Sequence, residues 1–261
     1  MRLVTWNVNS LRQRLPRVLE LVEEHAPDVL CLQETKSDAD AFPHAALAGA
    51  GYRAADHSGG RWAGVAILAR EPLTLEDPVR GLSGEPAQDE CRWIEATVGG
   101  VRVVSTYVPN GRIVDSEWYA QKLDFLAAAA QRVRELRTAD PPAPLVVAGD
   151  MNVAPADLDV YDPAAFATET HVTPPERAAL RQLADAGGLR DAFRVLHPDE
   201  QQFTWWDYRA GHFHKGLGLR IDLALVSDPL TERLARAGIE RPYRKGTRPS
   251  DHAPLVIEWA D

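Results

Sequence analysis

The apolar runs of this chain are short, and each is closed by a polar residue. That pattern constrains the fold more than any other feature of the sequence. Leu3–Trp6 ends at Asn7, Val29–Leu32 leads through Gln33 to Glu34, and Leu145–Ala148 leads to Asp150 and Asn152. Runs of this length suit strands rather than helices, and an unbroken run such as Val29–Gln33 implies a strand covered on both faces. Gly99-Gly100, between Ile94–Val98 and Val101–Tyr107, is the strongest hairpin signal. Further strands are predicted at Leu3–Asn7, Gly64–Ala69, Ile221–Val226 and Leu255–Trp259. Leu15, Val18, Leu19 and Val22 recur at helical spacing, predicting a helix to about His25 with Pro16 in its first turn. Ser116–Arg137 and Pro175–Ala186 are the other long helices, the second stopped by Gly187-Gly188. Hairpins mixed with helical crossovers predict two packed sheets with helices outside rather than a doubly wound parallel sheet.

No linker interrupts the 261 residues, so the chain reads as a single domain over 1–261. A hydrophobic fraction of 45% excludes disorder. No run approaches the roughly 18 apolar residues of a membrane span, and Met1–Trp6 enters a strand directly, without signal-peptide architecture. Cys31 and Cys91 lie far apart and lack metal-ligand spacing, which fits a cytoplasmic protein with reduced thiols. The formal charge of −9 opposes wholesale binding to a polyanion. Net charge does not say where charges sit, however, and a site for a divalent cation requires several carboxylates. The basic cluster Arg241, Arg244, Lys245 and Arg248 reads most simply as solvated surface.

The polar residues at the strand ends are the candidates for chemistry. Singly, an Asn or Asp there is an ordinary turn former. Asp222 is different, because it stands between Ile221 and Leu223, where an ionised carboxylate needs a partner. His252, in Ser250-Asp251-His252-Ala253-Pro254, is the obvious one, and an Asp–His pair is a common orienter-and-base unit. Glu34 is a hard carboxylate suited to an oxygen-seeking cation such as magnesium. The absence of paired cysteines argues against structural zinc. Neither a phosphate-cradling glycine loop nor a serine nucleophile elbow is present. A weak internal echo links Leu3–Thr5 followed by Trp6-Asn7-Val8-Asn9 with Leu145–Ala148 followed by Gly149-Asp150-Met151-Asn152.

Six segments in order, Trp6-Asn7-Val8-Asn9, Leu32-Gln33-Glu34-Thr35-Lys36, Tyr107-Val108-Pro109-Asn110-Gly111, Gly149-Asp150-Met151-Asn152, Leu219-Arg220-Ile221-Asp222 and Ser250-Asp251-His252-Ala253-Pro254, resemble the exonuclease III family. The resemblance implies a four-layer α/β sandwich, with two mixed sheets face to face, helices outside and the active site at one end. It implies a Mg2+-dependent phosphodiesterase, with Mn2+ as a substitute, acting as a monomer on double-stranded DNA at abasic sites or blocked 3′ ends. Glu34 resembles the principal metal ligand, with Asn7 and Asp251 nearby. Asp150 resembles the group that positions or deprotonates water, and Asn152 and Asn110 the donors to the scissile phosphate. Tyr107 resembles a tyrosine that donates to, or attacks, that phosphate, with attack by water the preferred version, and His252, held by Asp222, resembles its electrostatic partner.

The aromatic segment Phe203–Tyr208 reads by default as buried core. The resemblance instead gives Trp205, with Leu219 and Ile221, as walls of a pocket for an extruded sugar, and Arg12 as a backbone contact near the entrance. His171 departs from the family pattern, in which Gly or Ser is frequent. It is either a surface histidine without a role or a ring that hinders internal abasic sites while frayed 3′ ends still fit. Related phosphodiesterases acting on inositol phosphates or sphingomyelin share the metal and Asp–His chemistry. Trp205-Trp206-Asp207-Tyr208 and Leu219-Arg220-Ile221-Asp222 favour DNA repair. A binding-only scaffold would show losses among Glu34, Asp150, Asp222 and His252, and all four are present.

Overall fold

A computed structural model of the protein describes residues 1–260. The chain begins with β1 (Arg2–Asn7), α1 (Leu11–His25), β2 (Val29–Gln33), α2 (His44–Gly49), β3 (Tyr52–His57) and β4 (Val65–Arg70). It continues through β5 (Glu76–Arg80), β6 (Trp93–Val98), β7 (Val101–Tyr107), α3 (Glu117–Leu136), β8 (Leu145–Asp150), α4 (Pro174–Gly187) and β9 (Leu189–Asp191). After short helical turns come β10 (Asp222–Ser227), β11 (Leu234–Ile239) and β12 (Leu255–Trp259). These strands form two six-stranded sheets, in the orders β11-β12-β1-β2-β4-β3 and β5-β6-β7-β8-β10-β9.

Residue alternation along each strand explains the layers. In β1, Leu3 points into the core between the sheets while Val4 and Trp6 point outward to α1, where Leu11, Val18 and Leu21 meet them. In β8, Val146 and Ala148 face the other sheet, while Leu145 and Val147 pack on Phe125, Leu126 and Val133 of α3 and Leu180 and Leu183 of α4. Both faces of the central strands are therefore covered, which is why their sequences are continuously apolar. The result is the α/β sandwich expected from the sequence: helices, sheet, sheet, helices.

The two sheets share one pairing pattern. Read from the ends carrying β11 and β9, each runs antiparallel, antiparallel, parallel, antiparallel, antiparallel. In that alignment β1 corresponds to β8, so the sequence echo has a structural counterpart. Asn9 N–H donates to Asn7 Oδ1 at 3.0 Å, and Asn152 N–H donates to Asp150 Oδ1 at 2.9 Å. Asn9 and Asn152 both take left-handed backbone conformations, with φ of 45° and 49°.

Three local expectations change. The helix α1 starts at Leu11, so Pro16 lies inside it rather than in the first turn. Buried Leu11 extends the apolar stripe N-terminally, and the carbonyl that Pro16 cannot engage belongs to exposed Arg12, within reach of water. Strands β3, β5, β9 and β11 carried no clear signal, and β5 is fully exposed along its length. The basic cluster is not simply solvated surface: Arg244 is 5% exposed, and Arg241 and Arg244 stack on Phe213.

Candidate active site

The inward-facing alternation continues to the strand ends, where it turns polar. On β1 the series is Leu3, Thr5, Asn7; on β8 it is Val146, Ala148, Asp150; on β7 it is Val103, Ser105, Tyr107. Thr5, Gln33 and Ser105 close the apolar layer with a hydrogen-bonded chain across the sheets, Gln33 Nε2 donating to Thr5 Oγ1 at 3.1 Å and to Ser105 Oγ at 3.0 Å. Beyond it the sheets open on Asn7, Glu34, Tyr107, Asp150, Asp222 and His252. Strand register sets the second-sheet contributions, since Asp150 lies opposite Tyr107 on one side and Asp222 on the other. Gly149 is required for this approach, because a Cβ there would lie 2.0 Å from the Thr106 carbonyl oxygen.

Asn7 ties the sheets together. Its Nδ2 donates to Glu34 Oε1 at 2.7 Å and to Asp150 Oδ2 at 2.9 Å. His252 lies between two carboxylates, with Nδ1 2.8 Å from Asp222 Oδ2 and Nε2 3.7 Å from Asp150 Oδ2. The loop carrying His252 is fastened to β1: Ser250 Oγ donates to the Asn7 carbonyl and Trp6 Nε1 to the His252 carbonyl. Burial works against charge on His252, but the Asp222 and Asp150 carboxylates outweigh it and hold the imidazolium up to about 10. Burial, reinforced by the Asp222 and Glu34 charges, pushes Asp150 up to about 7. Tyr107 is driven well above its ordinary value, first by burial and then by Glu34. It therefore stays a neutral phenol and a donor.

Asn110 and Asn152, expected as phosphate donors, also converge. Asn110 Nδ2 lies 3.3 Å from Asn152 Oδ1, and Asn152 Nδ2 donates to the Val108 carbonyl at 2.8 Å. Trp205, Leu219 and Ile221 pack in one apolar cluster with Ala154 and Val160, and partly buried Phe166 and Val172 close on it. Trp205 pairs through its backbone with Leu219 and bridges to His252, so this wall adjoins the carboxylates. Arg12 is exposed on the first turn of α1. His171 is not a surface residue: it is 8% exposed, with Nδ1 2.6 Å from the Asn152 carbonyl oxygen. Burial, with the Lys122 ammonium beside it, lowers His171 to about 3, so the ring is neutral. Its φ of 83° is a backbone state that suits glycine.

Oxygen atoms of Glu34 and Asp150 and a His252 nitrogen lie within 4.8 Å of one another. Because His252 is held protonated, the two carboxylates are the donors available there, and a hard oxygen set fits a divalent cation such as Mg2+ or Mn2+. Asn7 and Asp251, the two further residues expected near the metal, also carry hydrogen bonds. Asn7 turns its amide nitrogen to both carboxylates and its oxygen to the Asn9 N–H. Asp251 accepts from Asn9 Nδ2 at 2.9 Å and from Trp205 Nε1 at 3.1 Å.

Sequence reasoning passed over four residues. Asn9 accepts from Lys36 Nζ at 2.7 Å, and Lys36 also pairs with Glu34 Oε2 at 2.8 Å. Both stand inside the motif segments, and the echo between Asn9 and Asn152 was the available signal. Buried Lys122 donates to the Asn152 carbonyl at 2.6 Å and pairs with buried Glu176. No local pattern marks that pair, apart from the Thr173–Glu176 capping box that fixes Glu176 at the start of α4.

Residues 4–252 match the endonuclease/exonuclease/phosphatase family, and the chain belongs to it. Over 99% of its length the chain is 33% identical to all of exodeoxyribonuclease III from Haemophilus influenzae. Several solved structures match the whole of this chain over the whole of theirs. The 3′ phosphatase NExo from Neisseria, bound to a product DNA hairpin, superposes with a TM-score of 0.96 at 40% identity. An AP endonuclease from Archaeoglobus fulgidus superposes with a TM-score of 0.94 at 37% identity.

Proposed function

We propose that this chain is a DNA-repair phosphodiesterase that trims 3′ ends of duplex DNA, as a 3′→5′ exonuclease and 3′-phosphatase, with Mg2+ as its metal and Mn2+ as a substitute. The observation that carries the reading is the convergence of Glu34, Asp150 and His252, with Asp222 behind His252, at the open end of the sandwich. The names of the similar proteins, exodeoxyribonuclease III, 3′ phosphatase and AP endonuclease, point to the same chemistry.

In-line displacement at phosphorus needs a positioned water and stabilisation of developing negative charge. Asp150, fixed by Asn7 and by the Asn152 N–H, holds a water and accepts its proton, a transfer favoured by the burial that raises its carboxyl. His252 presents positive charge to the phosphate. Asn110, Asn152 and Tyr107 donate to its oxygens. A divalent cation at Glu34, when bound, neutralises phosphoryl charge. Trp205, Leu219 and Ile221 form the apolar wall against the terminal sugar.

The fixed imidazole of His171 favours ends over internal abasic sites. The ring is anchored to the Asn152 carbonyl, so it is not free to swing away, and an internal nucleotide tethered on both sides must be extruded past it. Two buried free thiols fit a reducing cytoplasm, and we take the active unit to be a monomer. The test is cleavage of matched duplexes carrying a 3′-phosphate, an undamaged recessed end or an internal abasic analogue, with and without Mg2+. Equal rates on all three, or cleavage unaffected by chelation, would refute the reading.

A further inference from the structure

Six Lys and Arg side chains are buried to 9% exposure or less: Arg14, Arg92, Arg102, Lys122, Arg220 and Arg244. Four of them have carboxylate partners, Arg92 with Glu90, Arg102 with Glu95, Lys122 with Glu176, and Arg220 with Asp159 and Asp191. Arg14 and Arg244 have none among the described residues. Their partners are neutral oxygens: for Arg14, those of Asn9, Gln13, Tyr208 and Pro249, and for Arg244, that of Trp206. The Nε atom of each is buried without a hydrogen-bond partner. In a chain of formal charge −9, carboxylates are plentiful, so two buried guanidiniums without an ion pair call for an account; the Asp251 charge reaches Arg244 but forms no salt bridge with it.

The two lie together. Arg14 Nη2 donates to the Tyr208 hydroxyl at 3.0 Å, and the Arg244 guanidinium sits 5.1 Å from the Tyr208 ring centre. On the Arg244 side is a pocket of about 370 Å³, lined by Asp207, Tyr208, His212, His214, Arg244 and Lys245 among others. Asp207, the only acid of the lining, is already paired with Arg209 at 2.6 Å. The pocket adjoins the active site, since Trp206 N–H donates to the Asp251 carbonyl and Pro249 immediately precedes Ser250–His252.

We propose that this pocket is an anion subsite that takes one backbone phosphate of the DNA strand away from the scissile bond, with Arg244 and Lys245 as its cationic ligands. Phosphate supplies the missing counter-charge, and Arg is suited to it by its forked donors. The subsite also resolves the conflict between an acidic chain and a polyanionic substrate, because it concentrates positive charge beside the catalytic end. The inference rests on the nuclease reading above.

The test uses a hairpin duplex with a recessed 3′ end in which single phosphates are replaced, one at a time, by neutral methylphosphonates. In the wild type, one position away from the scissile bond should raise KM roughly three- to tenfold. Arg244→Lys and Lys245→Ala should raise KM similarly on the unmodified duplex and lose sensitivity to that one position, and Lys245→Ala, which alone removes a charge, should lower the slope of log kcat/KM against log salt by about 1. Arg53→Ala, at the opposite end of the sandwich, should change none of these. Lys245 is exposed, so its variant keeps the test decisive if Arg244→Lys misfolds. The proposal is overturned if both folded variants keep the wild-type salt slope and methylphosphonate profile. It is also overturned, in favour of a free-anion site, if inorganic phosphate at constant ionic strength inhibits the wild type but not Lys245→Ala while no methylphosphonate position couples to the variants. A wild type that cleaves no DNA would refute the proposed function instead, and the same scan read as equilibrium binding would then decide the subsite.

Discussion

The pair Asp222 and His252 allows the most direct test of the site's electrostatics. His252 rises from an ordinary 6.5 to about 10 because Asp222 and Asp150 overcome burial. A rise of that size corresponds to about 5 kcal/mol favouring the imidazolium in the folded protein. For a group raised on folding, this stabilisation is fully present below pH 6.5 and is lost as pH rises through 10. Asp222→Asn keeps the shape but removes the carboxylate 2.8 Å from Nδ1, leaving burial largely unopposed. Thermal melting in chelator should then show the wild type losing stability between pH 6.5 and 10, while the variant is less stable at pH 6.5 and nearly flat across the window. At about 2–4 °C per kcal/mol for a domain of this size, the gap at pH 6.5 should reach at least several degrees. Activity with metal should fall about 10²–10⁴-fold at neutral pH, and the deficit relative to the wild type should narrow in acid as the imidazole reprotonates. An unchanged pH dependence of melting, or equal losses of activity at all pH values, would show that Asp222 does not hold the charge on His252.

Further outcomes follow from the same geometry. Asp222→Asn/His252→Asn should be scarcely slower than the worse single variant, because the two act as one unit; multiplying losses in kcat/KM would refute this. Glu34→Gln should lose most activity at low Mg2+ and regain part at high Mg2+, and an unaltered metal titration would remove Glu34 from the cation site. His171→Gly suits the backbone φ of 83°, and Lys122 still holds the Asn152 carbonyl, so 3′-phosphatase activity should stay near wild type while abasic incision rises roughly tenfold or more. Equal changes in both activities would refute the steric reading. Gly149→Ala should destabilise by about 3 kcal/mol or more in denaturant titration, since its Cβ meets the Thr106 backbone at 2.0 Å.

Much of the site was legible because strand alternation and strand ends are local properties. Asn7, Glu34, Asp150 and Asp222 stood out as polar residues interrupting or closing apolar runs, and the sandwich follows from runs covered on both faces. Partnership was not legible, because it is decided across distance. Asn7 meets Asp150 over 143 residues, and Lys122 meets Glu176 over 54. No periodicity reports such a meeting.

The same limit explains the two readings that changed most. His171 and the Arg241–Arg248 cluster are polar residues in loop-rich sequence, where exposure is the natural expectation. His171 and Arg244, the one buried cation of that cluster, owe their burial to what folds over them: Asn152 and Glu176 beside His171, and Tyr208 and Phe213 against the Arg244 guanidinium. A buried polar group must be satisfied by a partner or by a ligand. At His171 the partner is the Asn152 carbonyl, which fixes the ring in place. At Arg244 the protein supplies one hydrogen-bond acceptor, the Trp206 carbonyl, and two aromatic faces but no ion pair, which leaves room for a counter-charge from outside the chain. The paired case predicts an effect on which substrates fit, and the unpaired case predicts an effect on how tightly a charged strand binds. Variants at the two positions should therefore separate, with His171→Gly altering the ratio of internal to terminal cleavage at constant salt slope, and Lys245→Ala altering the salt slope at constant ratio. Movement of both quantities in either variant would show that the two loops act as one unit.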